Sequence, residues 1–271
     1  MNQEQQSPLS KLQINSINQL IDEVATRQLL DFGNINTELK DDGTLITNCD
    51  RWSDQYIVNG LSKVTSKKEG VLSEEGSKKV PSSNAYWVVD PLDGTTNFAA
   101  GIPHWAISIA RFIGNKPETA FIDIPALKKR VIAIRGKGVW INNQLIKIEK
   151  KLQSNTQCVS LCSRSINILK EGADKSFPGK IRLLGVSSLN MMSVAIGQTF
   201  GAIESTPKIW DIAAAWLILT ELGCEIKWLG ADPSSLESGE DLSSVNFPLI
   251  TAISKTHLET LAPWGDLLKI K

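Results

Sequence analysis

An apolar run, Trp87-Val88-Val89, stops abruptly in Asp90-Pro91-Leu92-Asp93-Gly94-Thr95-Thr96-Asn97-Phe98. No other stretch constrains the fold as much. The run reads as a buried strand that delivers two carboxylates, Asp90 and Asp93, to its C-terminal end. Pro91 lacks an N–H and forbids regular continuation of the strand, while Gly94 permits a tight turn. Thr95-Thr96-Asn97 can then open a short helix whose first N–H groups point back at whatever the carboxylates hold. Oxygen ligands beside such amides suit a hard cation bridging to a phosphate. Asp-Pro and Asp-Gly pairs are also ordinary turn formers. A plain surface turn, however, seldom combines a buried strand, two acids and Gly-Thr-Thr.

Composition narrows the chemistry. With 271 residues the chain can form one extended α/β unit or two subdomains. Its 29 acidic and 29 basic residues give a formal net charge of zero, and no basic block or aromatic-basic ladder marks a nucleic-acid groove. Two histidines, His104 and His257, supply zinc sites and His-activated nucleophiles poorly. His104 opens an apolar run and is expected to be structural. The cysteines Cys49, Cys158, Cys162 and Cys224 lack paired Cys-x-x-Cys spacing and are expected to be buried thiols. No signal-type core or run of membrane length occurs, so a soluble, cytoplasmic protein is expected. Any catalysis must therefore run on carboxylates, hydroxyls and metal.

Along the chain, Ile17, Leu20, Ile21, Val24, Ala25 and Leu29 form the stripe of an amphipathic helix over residues 9–32, closed at Phe32-Gly33-Asn34. Asp42-Gly43 signals a turn and Leu45-Ile46-Thr47 a short extended segment. Asp50 is expected to cap a second helix that buries Tyr56, Ile57, Leu61 and Val64. Val71-Leu72-Ser73 is a brief strand ending in Glu74-Glu75-Gly76, of which only one acid is expected to reach a shared site. Residues 105–112, 119–124, 130–134 and 138–141, punctuated by Gly, Pro and Asn, predict an antiparallel meander packed on the two helices.

Beyond Lys151 the rhythm becomes α/β. Buried strands are expected at 158–162, 181–184, 201–204, 224–228 and 249–253, with a small-residue helix at 188–197. Trp210-Asp211-Ile212-Ala213-Ala214-Ala215-Trp216 opens an almost wholly apolar helix ending at Gly223, so Asp211 sits at the mouth of a buried element. Two halves are expected, 1–152 and 153–271, forming one continuous catalytic unit. Glu74, Asp90, Asp93 and Asp211 each fall at a strand end or helix start. Converging, they need cations, and with no His or Cys among them the ions would be Mg²⁺ or Mn²⁺.

Asp90-Pro-Leu-Asp-Gly-Thr-Thr-Asn-Phe98 and Trp210-Asp-Ile-Ala-Ala-Ala-Trp216 resemble the two signatures of the inositol monophosphatase family, and the resemblance spans nearly the whole chain. It implies a layered αβαβα sandwich of the sugar-phosphatase type, with an antiparallel N-terminal sheet and a smaller α/β C-terminal half. It also implies Mg²⁺-dependent hydrolysis of a phosphate monoester, foremost inositol 1-phosphate. One ion would be held by Glu74, Asp90 and the Leu92 carbonyl, a second by Asp90, Asp93 and Asp211, and a third, weaker one near Glu74. Asp50 and Thr95 would orient the attacking water. The amides of Gly94 and Thr95 would bind phosphate. Lys40, Asp42 and Thr47 match the family segment after the first helix, Lys40 being assigned to substrate. Asp93, Gly185, Val186, Ser187 and Glu204 would read the hydroxyls of the leaving group. Three positions depart from the family pattern: Ser73 for Gly, Val186 for Ser or Thr, and Phe200 for Asp. Histidinol phosphate, a sugar phosphate or an adenosine 3′,5′-bisphosphate are alternative substrates. A regulatory binder that keeps the fold, as some relatives do with the transcription machinery, is the alternative class. A homodimer and lithium sensitivity follow from the resemblance alone.

Overall fold

The computed structural model describes residues 7–40, 43–65, 68–146 and 157–268. Asp42 and the expected boundary at 152/153 lie outside them. The chain opens with helix α1 (Lys11–Asp31), whose N-cap Ser10 and Gln13 form a reciprocal capping box. A two-stranded hairpin follows, β1 (Thr37–Leu39) and β2 (Leu45–Thr47), and then α2 (Asn48–Val64). The N-cap of α2 is Thr47, not Asp50. Asp50 lies one turn in, where its carboxylate accepts the Thr47 N–H and closes a capping box. That corrects the expected cap. A hydroxyl at N-cap and an acid at N3 satisfy two orphan donors, where an acid alone satisfies one.

Seven strands form the first sheet, in chain order: β3 (Gly70–Ser73), β4 (Ala85–Asp93), β5 (Ala106–Ile113), β6 (Lys116–Ile124), β7 (Lys129–Ile134), β8 (Gly138–Ile141) and β9 (Gln144–Leu145). All neighbours are antiparallel except β3 and β4, which run parallel. That single parallel pair sends the ends of both strands to the same edge of the sheet. Alternation sorts the residues of β4. Trp87 and Val89 face α1 and α2, packing with Ile17, Ile21, Val24, Ile57 and Leu61, whereas Val88 faces the opposite core. Asp90, two residues on from Val88, inherits that inner face.

The inner core is filled by α5 (Ser187–Ala195) and α6 (Ile209–Glu221), which lie between the first sheet and a second. The second sheet has the order β11 (Lys180–Arg182), β10 (Cys158–Leu161), β12 (Gly201–Glu204), β14 (Leu249–Ala252) and β13 (Glu225–Trp228). Helix α7 (Lys255–Gly265) covers its outer face through Leu261 and Trp264. The result is the expected αβαβα sandwich, completed by two five-residue helices, α3 (Thr95–Ala99) and α4 (Asn167–Glu171). Helix α6 is apolar almost all round because it is enclosed by sheet on both sides. No helix among the described residues is long and apolar enough to cross a membrane.

Several sequence expectations are corrected here. Leu29 and Tyr56 are exposed, and Gln28 takes the buried place on α1. Gln28 is kept inside by its bonds: its amide donates to Pro91 O at 2.9 Å and Ser53 Oγ at 3.2 Å, and its Oε1 accepts the Trp105 indole N–H at 2.9 Å. Strand β11 sits at a sheet edge, so Ile181 is only half-buried and the following Leu183 is exposed. No disulfide links the four cysteines, and of them only Cys49 is fully buried.

One charged network anchors the first sheet. Arg111, 2% exposed, donates to Glu69 through Nε and Nη2, at 3.1 and 2.7 Å, and lies 3.3 Å from Glu118 through Nη1. Trp87 Nε1 also donates to Glu69, and Thr119 Oγ1 to Glu118. Arg111→Met would leave two buried carboxylates without a counter-charge. It is expected to cost about 3–5 kcal/mol, read as a lowered midpoint in urea unfolding.

Candidate active site

The end of β4, the end of β3 and the start of α6 meet at one point. Ser73 pairs with Val89 across β3 and β4, and the next amide, Glu74 N–H, donates to Val89 O at 3.1 Å, which sets Glu74 beside Asp90. Asp90 pairs with Ser108 of β5, and Ser108 Oγ donates to the Trp210 carbonyl at 3.3 Å, tying the first turn of α6 to the same spot. The register then shifts between Asp90 and Asp93 where Pro91 interrupts it. Carboxylate oxygens of Asp90, Asp93 and Asp211 come within 4.8 Å of one another. Glu74, Leu92, Gly94 and Thr95 join them around a cavity of about 160 Å³. The four acids named from the sequence are therefore brought together.

Each carboxylate is otherwise held from one side. Asp93 Oδ2 accepts the Ser188 N–H at 2.8 Å at the start of α5, and Asp211 Oδ2 accepts the Lys208 N–H at 2.7 Å. Asp90 Oδ1 accepts the Leu92 N–H at 3.0 Å, while its Oδ2 is buried without a hydrogen-bond partner. Burial is the first cause that raises the pKa of Glu74, Asp90, Asp93 and Asp211; for Asp90 the charges of Glu74, Asp93 and Asp211 add to it. A buried carboxylate with one oxygen left unpartnered, in a cavity shared with three further acids, fits a hard divalent cation, since oxygen-only ligands and uncompensated charge are what such an ion relieves.

Beside this cluster, Thr95 Oγ1 donates to Asp50 Oδ1 at 2.8 Å. Thr47, through both N–H and hydroxyl, fixes the other oxygen of Asp50. Gly94 N-caps α3 with φ +101°, and an added Cβ would meet Val186 Cγ2 at 2.7 Å. Only glycine fits there. Val186 is thus an apolar wall behind the turn. Asn97 staples the turn to the C-terminal half: its amide donates to His104 O and Leu184 O at 2.9 and 2.8 Å, and Gly185 packs against it.

Glu204 is 1% exposed and accepts Ser187 Oγ at 2.9 Å and Asn190 Nδ2 at 2.7 Å. Phe200, the other departure, is buried against the His257 ring and belongs to packing. Ser73 fills the space beside Gly76. Lys40, assigned to substrate, lines the groove beside the cavity, where its Nζ bonds Glu74 Oε1 at 2.9 Å and Glu75 Oε1 as well. Glu74 lines the acid cavity and Glu75 does not, so one of the two acids reaches the site as expected, while Glu75 meets Lys40 in the adjoining groove. Sequence reasoning missed Gln28, Asn97 and Asn190 as supports. Asn97 lies inside the quoted turn, and its position just past Gly-Thr-Thr was the available signal.

Burial pushes the Glu204 carboxyl up to about 8, against the hydrogen bonds from Asn190 and Ser187. A raised pKa stabilises the fold fully below the unfolded value of 4.5 and loses that contribution as pH rises through 8. Glu204→Gln is therefore expected to melt ever higher than the parent as pH goes from 5 to 9 without divalent cations, followed by circular dichroism.

Comparison with known proteins places this geometry. Residues 4–255 match the model of the inositol monophosphatase family. The chain is 30% identical over 218 residues to a Nus factor SuhB of Pasteurella multocida, covering 76% of this chain and 79% of that one. It is 31% identical over 204 residues to an inositol-1-monophosphatase of Rhizobium meliloti, covering 71% and 76%. The crystal structure of an IMPase/NADP phosphatase complexed with NADP and Ca²⁺ superposes with a TM-score of 0.76 at 25% identity, covering 94% and 97%. A two-signature acid cluster, an αβαβα sandwich and these similarities agree: the chain belongs to the inositol monophosphatase family.

Proposed function

We propose that the protein is a Mg²⁺-dependent phosphate monoester hydrolase whose foremost substrate is inositol 1-phosphate. The carrying observation is the convergence of Asp90, Asp93 and Asp211 within 4.8 Å, with an orphaned buried oxygen on Asp90. Glu74, Asp90, Asp93, Asp211 and the Leu92 carbonyl would hold the ions. Bound there, divalent ions acidify water and offset charge on the phosphate and the leaving oxygen.

The remaining work falls to the chain's own residues. Because Thr95 gives its proton to Asp50, its oxygen keeps lone pairs with which to accept a hydrogen bond from water and aim it. Asp50 stays in register through Thr47. The first amides of α3, at Gly94 and Thr95, supply donors to phosphate oxygens. Glu204, Asp93, Ser187 and the Gly185–Val186 backbone line the leaving-group side in this reading. Val186 offers no hydroxyl there, so the alcohol is held by Glu204 and backbone rather than by a side chain at 186. Two halves joined near residue 152 would then share one reaction centre. The same support extends to relatives of the substrate, histidinol phosphate, sugar phosphates and an adenosine bisphosphate among them.

A regulatory reading has one observation in its favour: relatives at 30% identity carry the name Nus factor SuhB. Phosphate release across a substrate panel, with and without Mg²⁺, separates the two. Release from inositol 1-phosphate that needs Mg²⁺ is expected. Silence on every substrate would overturn the hydrolase reading in favour of the binder.

Asp90→Asn supplies a second check. The substitution removes one charge from a repelling cluster and one ligand from the cation. Without divalent ions the variant is expected to melt above the parent at pH 8. Addition of Mg²⁺ should raise the parent's melting temperature and barely move the variant's, while turnover falls by about 100-fold or more.

A further inference from the structure

Lys40 meets Glu74 in a groove that adjoins the acid cavity. Glu74 and Asp211 line both that cavity and the larger groove of about 940 Å³, whereas Lys40 lines the groove alone. The lysine is firmly placed. Its N–H donates to Thr44 O at 2.8 Å and its carbonyl accepts the Gly43 N–H at 2.9 Å, so it closes the turn of the β1–β2 hairpin. Arg51 clamps that hairpin to α2 through two bonds to Glu38, at 3.1 and 2.7 Å. From there the ammonium reaches Glu74 Oε1 at 2.9 Å and also Glu75 Oε1. The side chains are 19% exposed for Lys40 and 8% for Glu75, so solvent screens the contact little. Burial disfavours the ammonium, but the two carboxylates more than offset this and raise its pKa.

A cation approaching Glu74 from the groove must displace this ammonium or sit against its charge. Glu75 sharpens the competition. It is the next residue to Glu74 yet binds the same nitrogen, so Lys40 keeps a partner even while Glu74 is drawn toward an ion.

We infer that Lys40, tethered by Glu75, is a built-in competitor for the outermost divalent ion: it holds Glu74 Oε1 and keeps any ion on the groove side weakly bound. Its ammonium bonds the two glutamates and none of Asp90, Asp93 and Asp211, so an ion held by those three alone meets no direct competition. The inference rests on the reading of the acid cluster as a divalent centre. It gives the protein an internal threshold, with the inner positions filling first and the outer one only when cation is abundant.

Mn²⁺ titrated into the metal-stripped full chain tests this, with heat measured by calorimetry and free Mn²⁺ by its electron paramagnetic resonance. In Lys40→Gln the weakest Mn²⁺ is expected to tighten by about tenfold or more, or a further Mn²⁺ to become measurable, while the tighter ions change little. Lys40→Arg keeps the charge and should titrate like the parent. Lys40→Met replaces the Gln variant if that one shows no cooperative melt. Superimposable isotherms for parent and charge-free variant, with the tight ions bound, overturn the inference and leave the divalent centre standing. So does an Arg variant that behaves like the Gln variant. An absence of Mn²⁺ from every chain overturns the divalent centre and the inference with it.

Discussion

Repulsion among Glu74, Asp90, Asp93 and Asp211 is the interaction around which the rest of the molecule is arranged. Like charges in a shielded place raise one another's pKa and weaken the fold unless a counter-charge arrives. Asp90 shows this most plainly, with burial and three neighbouring carboxylates all acting against ionisation. The fold tolerates the arrangement because its backbone cannot relax away from it. Strand β4 is buried along its whole length, the parallel β3 holds Glu74 alongside, and Ser108 ties the start of α6 to the same strand. A surface loop bearing the same acids would simply spread them into solvent. Here the core pins them, and a divalent ion is the relief consistent with an oxygen-only set.

Around that cluster lies a layer of neutral amides and hydroxyls that fix the geometry without adding charge. Gln28 carries the Pro91 carbonyl, Asn97 joins the turn to the Leu184–Gly185 segment, and Thr47 holds Asp50 for Thr95. The Gln28, Asn97 and Asp50–Thr95 bonds join segments 63, 87 and 45 residues apart, so the site forms only in the folded chain. Lys40 is the exception, a cation close to the centre, and its partners are the two acids at the end of β3. Charge is thus balanced by the protein at the rim, and the middle is left to the ions proposed there.

The departures from the family pattern sort themselves by location. Ser73 fills space beside Gly76 and Phe200 packs into the core against His257, so neither faces the acid cavity. Val186 does matter to the site, since its methyl group backs the Gly94 turn and leaves no hydroxyl at that point of the wall. On the proposed hydrolase reading, selectivity among alcohols is where this chain can differ from its relatives.

Patterns of local origin were readable directly. The apolar strand into Asp-Pro-Leu-Asp-Gly-Thr-Thr, the almost wholly apolar α6 with Asp211 at its mouth, and the meander of β5 to β8 are written in periodicity and turn residues, because burial and backbone freedom act on neighbours along the chain. The same reasoning erred where a position's surroundings come from elsewhere. Leu29 is exposed and Gln28 buried because the Pro91 carbonyl and the Trp105 indole, more than 60 residues away, need a polar partner there. Asp50 gave up the cap to Thr47, and β11 fell at a sheet edge. The acids themselves were identifiable from sequence. That they meet, and which oxygen is left without a partner, was decided by sheet register and by the seating of α6 against β4, since distances between remote segments are set by packing and not by the order of residues.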